Sequence, residues 1–488
     1  MPRPSARRSV LATAMAALVG LATIACATNP VTGKRELSLI SETQEIALGR
    51  QADKEAVAAY GLYQDEALQR YVQTLGTSIA ARTERPNLSW TFRVVDDHAV
   101  NAFAIPGGFI YVTRGILTHL NSEAELAGIL GHEIGHVTAR HSVNQMSKQQ
   151  LAQIGLVAGM VLSPEVARFG NLLQTGVGLL FLKYSRDDER QADQLGLRYM
   201  VAGGYDPRRL VNVFQMLEGV GKQEGGGGGR LPEWLSTHPD PGNRLQWAST
   251  ASSSVGRDVS QLAVNEESYL RRLDGIVFGE NPREGIFQGT LFRHPDLAFQ
   301  MQFPPGWRGS NQKQAVGAVS PKEDAVVALQ LAEGSSAQQA ARRFFSQQGI
   351  VAGEPWRREI GGFPAVSGVF SAQTEQGNLR GLAAFVEHGN RVYQLLGYTS
   401  EQRWNSYRET FMQSLASFKR ETDREILNVQ PRRMNVVEVT RTSTPDALFR
   451  QYPSTVAEPV VNLINQLEPG STVRPGQMYK QVVGGPRF

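Results

Sequence analysis

Five consecutive residues, His132-Glu133-Ile134-Gly135-His136, form an H-E-x-x-H pattern. On a helix, positions four apart lie nearly one above the other, so both imidazoles can reach one ion at about 2.0–2.1 Å. Glu133 is turned away from that axis yet stays near a water held at the metal. It can take a proton from this water and later return it to a leaving amine. The chemistry implied is hydrolysis assisted by zinc, and such a site needs a third protein ligand and one open position. Ser185-Arg186-Asp187-Asp188-Glu189-Arg190-Gln191-Ala192-Asp193 offers the third ligand. Glu189 and Asp193 are four apart and share a helix face, so Glu189 can reach the metal while Asp193 orients an imidazole through its free N–H. Charge clusters of this kind are more often solvated helix faces, and only the upstream pattern turns the reading toward a metal.

The elements that must carry these side chains are legible as well. Residues from Ser122 to about His141 read as a helix, with Ser122 and Glu125 at capping-box spacing and Leu126, Ile129, Leu130 and Val137 on one face. Gly135 removes bulk where another element can approach closely. Ser185 to Met200 reads as a second capped helix, and Leu37 to about Ile79 as helical. Ser89 to Val95 alternates as a strand does, and Pro106-Gly107-Gly108 turns into a second strand, Phe109-Ile110-Tyr111-Val112. The strand from Gly108 through Ile110 to Val112, if it lies at the edge of the cleft, can pair with an extended peptide; otherwise it packs in the core.

H-E-x-x-H followed about fifty residues later by S-R-x-x-E-x-x-A-D resembles the gluzincin family of the CAAX prenyl endopeptidase. That family also contains the bacterial β-barrel assembly-enhancing protease and related periplasmic proteases. Asn101-Ala102-Phe103-Ala104 with Pro106-Gly107-Gly108 resembles the family's strand beside the cleft. Ser236-Thr237-His238-Pro239 with Arg244 resembles its late histidine motif, and Asn29-Pro30-Val31-Thr32-Gly33 the N-terminal stretch of its lipoprotein members. The resemblance spans about residues 27–250. It implies zinc ligation by His132, His136 and Glu189, with Glu133 as catalytic base. His238 is implied as a fourth ligand at rest or as a stabiliser of the oxyanion, with Asp193 and Arg244 behind the ligands and Asn101, Gly108 and Ile110 along the substrate strand. Read without the family, His238 is a loop histidine and Arg244 a solvated cation.

Arg3, Arg7 and Arg8 precede an apolar run from about Val10 to Ile24, the form of a secretory signal. Cys26 is the only cysteine, so no intramolecular disulfide can form. Its place after the apolar run points to lipid attachment, and Ala27 beside it resembles the outer-membrane sorting form. Without Arg3, Arg7 and Arg8 there remain 47 basic against 46 acidic side chains, a balance that gives no argument for a nucleic-acid partner. The expected layout is multidomain: a signal peptide over 1–25, a tether over 26–36 and an α-rich α+β zincin protease domain over 37–250. A linker over 251–284 precedes an α+β module over 285–424, loosely PsbP-like through Phe303-Pro304-Pro305-Gly306-Trp307. A small LysM-like module over 425–488 closes the chain, marked by Asn435-Val436-Val437 and Pro475-Gly476-Gln477. The resulting expectation is a lipid-anchored periplasmic zinc endopeptidase acting on unfolded or misfolded envelope proteins. The alternatives are an envelope chaperone or scaffold with a mostly silent site, and a peptidoglycan-binding protein.

Overall fold

The computed structural model describes residues 26–149, 183–225, 234, 237–238, 241–256, 258–374 and 377–486. The apolar stretch Ile154 to Leu182, the segment read as a signal peptide and most of the glycine run Gly225 to Gly229 lie outside them. Among the described residues no helix is long and apolar enough to cross a membrane. The chain divides into two compact units. One comprises residues 1–57, 61–278 and 434–482; the other comprises 58–60, 279–433 and 483–488.

In the first unit, β1 (Cys26–Thr28) and β2 (Arg35–Leu37) form a hairpin. The stretch read as a tether is docked. Asn29 is buried, and its Nδ2 donates to Glu36 Oε1 at 2.9 Å and to Ala139 O at 3.3 Å. Helix α1 (Glu42–Tyr60) starts from a full capping box of Ser41 and Gln44. After α2 (Glu66–Ala80) come β3 (Thr91–Val95), β4 (Ala102–Ile105) and β5 (Phe109–Thr113). Their spatial order is β3-β5-β4, with β5 parallel to β3 and antiparallel to β4. The strand expected at the cleft edge is therefore the middle of the sheet. Ile110 is paired on both sides, and Gly108 sits at a left-handed φ of +93° just before it. Both edges of β5 already carry ladder bonds, so an incoming peptide has no groups to pair with there.

Helix α3 (Arg114–His119) leads to α4 (Glu123–Thr138), which carries the H-E-x-x-H pattern. Ser122 Oγ accepts from Glu125 N at 3.2 Å, while the Glu125 carboxylate turns to Asn121 N at 2.6 Å instead of closing the box on Ser122. A second helical stretch covers 141–149. Helix α5 (Arg186–Ala202) has the full capping box, with Ser185 and Asp188 bonded reciprocally. It is followed by α6 (Arg209–Gly225), α7 (Pro241–Ser253) and α8 (Glu266–Arg272).

The region read as a linker over 251–284 puts Tyr269, Leu270, Leu273 and Ile276 into the core of this unit. Their apolar spacing is hidden at the sequence level by the Ser/Thr cluster that precedes it. Residues 434–482, read as part of a terminal module over 425–488, share the same core through Met434, Ile464 and Val482. The strands Arg432–Glu438 and Met478–Gly484 make a two-stranded sheet.

The other unit is built on an eight-stranded antiparallel sheet. Its three long strands Phe363–Thr374, Gly377–His388 and Arg391–Ser400 follow one another in chain order, with Ala325–Ala332 next. Helices Ala337–Phe345 and Trp404–Ala416 pack on it. The strands and helices expected near 297–303, 325–331, 337–348 and 403–418 are all present.

Candidate metal centre

Two helices make the site because their contact face has almost no side chains. A Cβ added to Gly135 would lie 3.1 Å from Ala192 O, and one added to Gly196 would lie 2.9 Å from His132 N. Small residues at Gly131, Gly135, Ala192 and Gly196 thus bring α4 and α5 close enough for their ligating side chains to meet. Fifteen of the sixteen α4 residues are buried, from Ala124 to Thr138.

His132, His136, Glu189 and His238 each offer an atom, and the four atoms lie within 4.8 Å of one another. His132 Nε2 is 3.1 Å from His136 Nε2 and 3.6 Å from Glu189 Oε2. His136 Nε2 is 3.5 Å from Glu189 Oε1. His238 Nδ1 is 2.8 Å from Glu189 Oε1 and 3.3 Å from His132 Nε2. The Trp234 ring stacks on His238 at 4.3 Å between centroids. On its far side His132 Nδ1 faces Asp193 Oδ1 at 2.9 Å. Arg244 clamps that carboxylate from both ends, Nη2 to Oδ1 at 2.6 Å and Nε to Oδ2 at 2.8 Å. Arg244 is buried, so the solvated reading of this cation does not hold.

The donor set fits a zinc ion. His132 turns Nδ1 to Asp193 and Nε2 to His136 and Glu189, so a ring that donates from Nδ1 presents its Nε2 lone pair to the centre. Glu189 Oε2 makes no hydrogen bond although Arg244 Nη1 lies 3.1 Å away, and both Glu133 oxygens are buried without a hydrogen-bond partner. Buried carboxylate oxygens normally find donors, so this orphaning marks a place for a cation and a polar guest.

Electrostatics agree with that division of labour. Burial pushes the Glu133 carboxyl above its ordinary range. Burial also works on Glu189, but His238, Arg244 and His132 outweigh it and hold this carboxyl below its ordinary range. Asp193 is held down to about 2, the Arg244 charge and His132 overcoming its burial. Burial, with help from the neighbouring rings, lowers His136 well below its ordinary value, so its imidazole is neutral.

The remaining sequence candidates separate. Asn101 is buried at the entrance to β4, and its side-chain oxygen has no hydrogen-bond partner. Among the described strands β4 pairs on one side only, so the sheet edge lies there and not at Gly108 or Ile110. Cys26 is described only as backbone of β1, paired with Leu37. Ser236 and Pro239 lie outside the described residues. Sequence reasoning missed His141, whose Nδ1 is 2.9 Å from His136 Nδ1, and Tyr184, whose ring stacks on His136 at 3.9 Å. A third histidine five residues after H-E-x-x-H was the available signal.

A sheet with its motif helix beneath, and a second helix delivering Glu189 to two imidazoles, form a site of the metallopeptidase type. Residues 66–252 match the profile of peptidase family M48. It is similar to the β-barrel assembly-enhancing protease of Yersinia pestis, 29% identical over 234 residues that cover 46% of this chain and 47% of that one. It is also similar to the mitochondrial metalloendopeptidase OMA1 of Arabidopsis thaliana, 34% identical over 38% of this chain and 37% of that one. The chain spans half or less of the length of these relatives. Among solved structures, cyanobacterial PsbP from Synechocystis sp. PCC 6803 aligns with 28% of this chain and 95% of its own, at 16% identity and a TM-score of 0.23.

Proposed function

We propose that this protein is a zinc-dependent endopeptidase of the bacterial envelope that cleaves extended or misfolded polypeptides. The observation that carries the reading is Glu189, delivered by α5 to within 3.6 Å of the paired imidazoles of α4 while Glu133 stands beside them with neither oxygen hydrogen-bonded. In this reading His132, His136 and Glu189 hold the metal, and Asp193, clamped by Arg244, fixes the His132 ring. Bound zinc supplies Lewis acidity, polarising a carbonyl oxygen and lowering the pKa of water toward about 7. Glu133 takes the proton of the attacking water, and burial, by raising its pKa, suits it to hold that proton and pass it to the leaving amine.

His238 Nε2 stands 3.7 Å from Glu133 Oε1 and its other nitrogen faces Glu189, so at rest it closes the set as a fourth donor. This favours a second reading, a site silent until His238 withdraws, after which it can stabilise the oxyanion from the cleft side. An extended substrate pairs along β4, with the Asn101 oxygen accepting a peptide N–H. The envelope location, the Cys26 lipid anchor, misfolded envelope proteins as substrates and any hold on peptidoglycan rest on the N-terminal pattern and on family resemblance.

Hydrolysis of unfolded casein by the purified protein, wild type beside Glu133→Gln and Glu189→Ala, tests the proposal. Glu133→Gln should lose at least about 10³-fold in rate and keep about one zinc per chain. Glu189→Ala should lose the zinc as well. Full activity in Glu133→Gln ends the peptidase reading.

A further inference from the structure

The two imidazoles of the H-E-x-x-H pattern are supported differently. His132 Nδ1 faces a carboxylate, Asp193, at 2.9 Å. His136 Nδ1 instead faces another imidazole nitrogen, His141 Nδ1, also at 2.9 Å. At that distance one nitrogen must donate and the other accept. His136 Nε2 points at His132 Nε2 and Glu189. If it is to hold a metal it carries a lone pair, so the His136 proton sits on Nδ1 and is donated to His141. His141 then keeps its own proton on Nε2, which faces Gln191 Oε1 at 2.8 Å. Both hydrogen bonds run outward from the centre, and Gln191 returns the chain to α5, beside Glu189.

The backbone is arranged for this contact. On an unbroken helix the residue five after His136 would lie about 140° around the axis and point away. Helix α4 ends at Thr138, and Arg140 takes a left-handed φ of 59°, uncommon for a residue with a side chain. The Arg140 side chain is held there by Glu45 Oε2 and Ile40 O, each at 2.9 Å. The turn brings the His141 ring edge-on to His136, centroids 5.0 Å apart, while Tyr184 covers the face of His136.

We infer that His141 is a positioning residue for the metal: by accepting the Nδ1 proton of His136 it fixes that ring's tautomer and direction, and Gln191 fixes His141 in turn. The inference rests on the zinc reading of the site. Partners of this kind contribute about 10–100-fold in metal affinity.

Zinc affinity, measured by competition with a chromophoric chelator, tests it on the full chain. His141→Ala should bind zinc about 10–100-fold more weakly than wild type. His141→Asn should recover most of the loss, since its amide oxygen can stand where Nδ1 stood and accept the same proton. Gln191→Leu should cost less, about 3–10-fold. The inference is overturned if His141→Ala stays within about twofold of wild type, or if His141→Asn is as weak as the alanine variant, because then volume and not the acceptor matters. Should His141→Ala fail to fold, the other two decide: a tight asparagine variant with a weakened leucine variant supports the role, and unchanged affinity in Gln191→Leu refutes it. A wild-type protein that takes up no zinc fails on the metal reading itself, and the role of His141 falls with it.

Discussion

The two units bury different kinds of side chain. In the first, Glu45, Arg85, Glu125, Glu133, Arg140, Glu189, Asp193, Arg244 and Lys480 are all less than a tenth exposed. In the second the interior is aromatic and aliphatic, with Phe292, Phe299, Phe303, Trp404, Phe411 and Phe418 at its centre, and Glu421 is its one buried carboxylate among the described residues. Charges leave water only at a cost of several kcal/mol each unless partners are placed to receive them. The first unit supplies such partners from remote parts of the chain: Glu45 of α1 meets Arg85 and Arg140, and Arg244 of α7 meets Asp193 of α5. The second unit buries one such carboxylate, Glu421 against Arg293, and its other ion pairs, such as Arg403 with Asp324, stay more open to solvent. A charged interior therefore marks the body that holds the candidate metal ligands, while the other body buries mostly uncharged side chains.

The largest expected contrast sets charge against packing. Arg244→Leu removes the partner of two buried carboxylates and should destabilise the first unit by about 3–5 kcal/mol while weakening zinc retention. Urea unfolding followed together with zinc release measures both; retention of wild-type affinity would show that Asp193 orients His132 unaided. Phe411→Ala, at a fully buried position of the second unit, should cost about 3–5 kcal/mol as well. Zinc affinity and casein hydrolysis should not change below its unfolding transition. Loss of zinc in the phenylalanine variant would erase the distinction between the units.

Much of the centre was legible because its determinants are local. Ser122 and Ser185 mark two helix starts, and fourfold spacing puts His132 over His136 and Glu189 over Asp193. Gly135 announces a close approach, though which partner it admits, Ala192, is a tertiary fact. What escaped depends on chain reversal or on contacts between distant segments. His141 reads as one more residue of the motif helix until the left-handed turn at Arg140 is known. The alternation of Phe109 to Val112 says that a strand forms, but whether it is an edge or a centre depends on β3 and β4 both choosing it as neighbour. Residues 434–482 look self-contained because nothing local tells that Ile464 and Val482 complete a core that begins at Leu68.

Lys480 sharpens that last point. It is fully buried, and its Nζ donates to Thr118 O at 2.8 Å and Leu120 O at 2.9 Å, just ahead of the motif helix. Gln466 of the same segment donates to Glu125 Oε2 at 3.0 Å. Lys480→Met keeps the volume but takes the donor from both carbonyls and removes a charge that acts on Glu125. The expected cost is about 2–3 kcal/mol to the body that holds the zinc, read as an earlier urea midpoint for zinc release. An unchanged midpoint would make 434–482 an independent module after all.

The smallest effect tests the same clasp through pH. Burial, with repulsion from Lys480, holds His119 down to about 4, against the pull of its bond to Gly115 O at 2.8 Å. Its native ring is therefore neutral where the unfolded chain would protonate it. Between about pH 6.5 and 4 the unfolded state binds more protons, so stability falls as pH falls through that window and loses nothing further from this group below it. Because the His119 side chain is only part-buried, we expect a loss of about 2 kcal/mol and not the full value of the shift. His119→Gln, whose amide can still donate to Gly115 O, should flatten this part of the pH–stability curve. His294 of the second unit is also held at about 4 by burial, but there Asp296 pulls the other way. No buried lysine is among the groups acting on His294. The two histidines are thus told apart in the Lys480→Met background: the slope due to His119 should shrink and the slope due to His294 should not. Equal slopes for His119 with and without the lysine would show that burial alone sets its pKa and that the clasp exerts no electrostatic hold on the entrance to the motif helix.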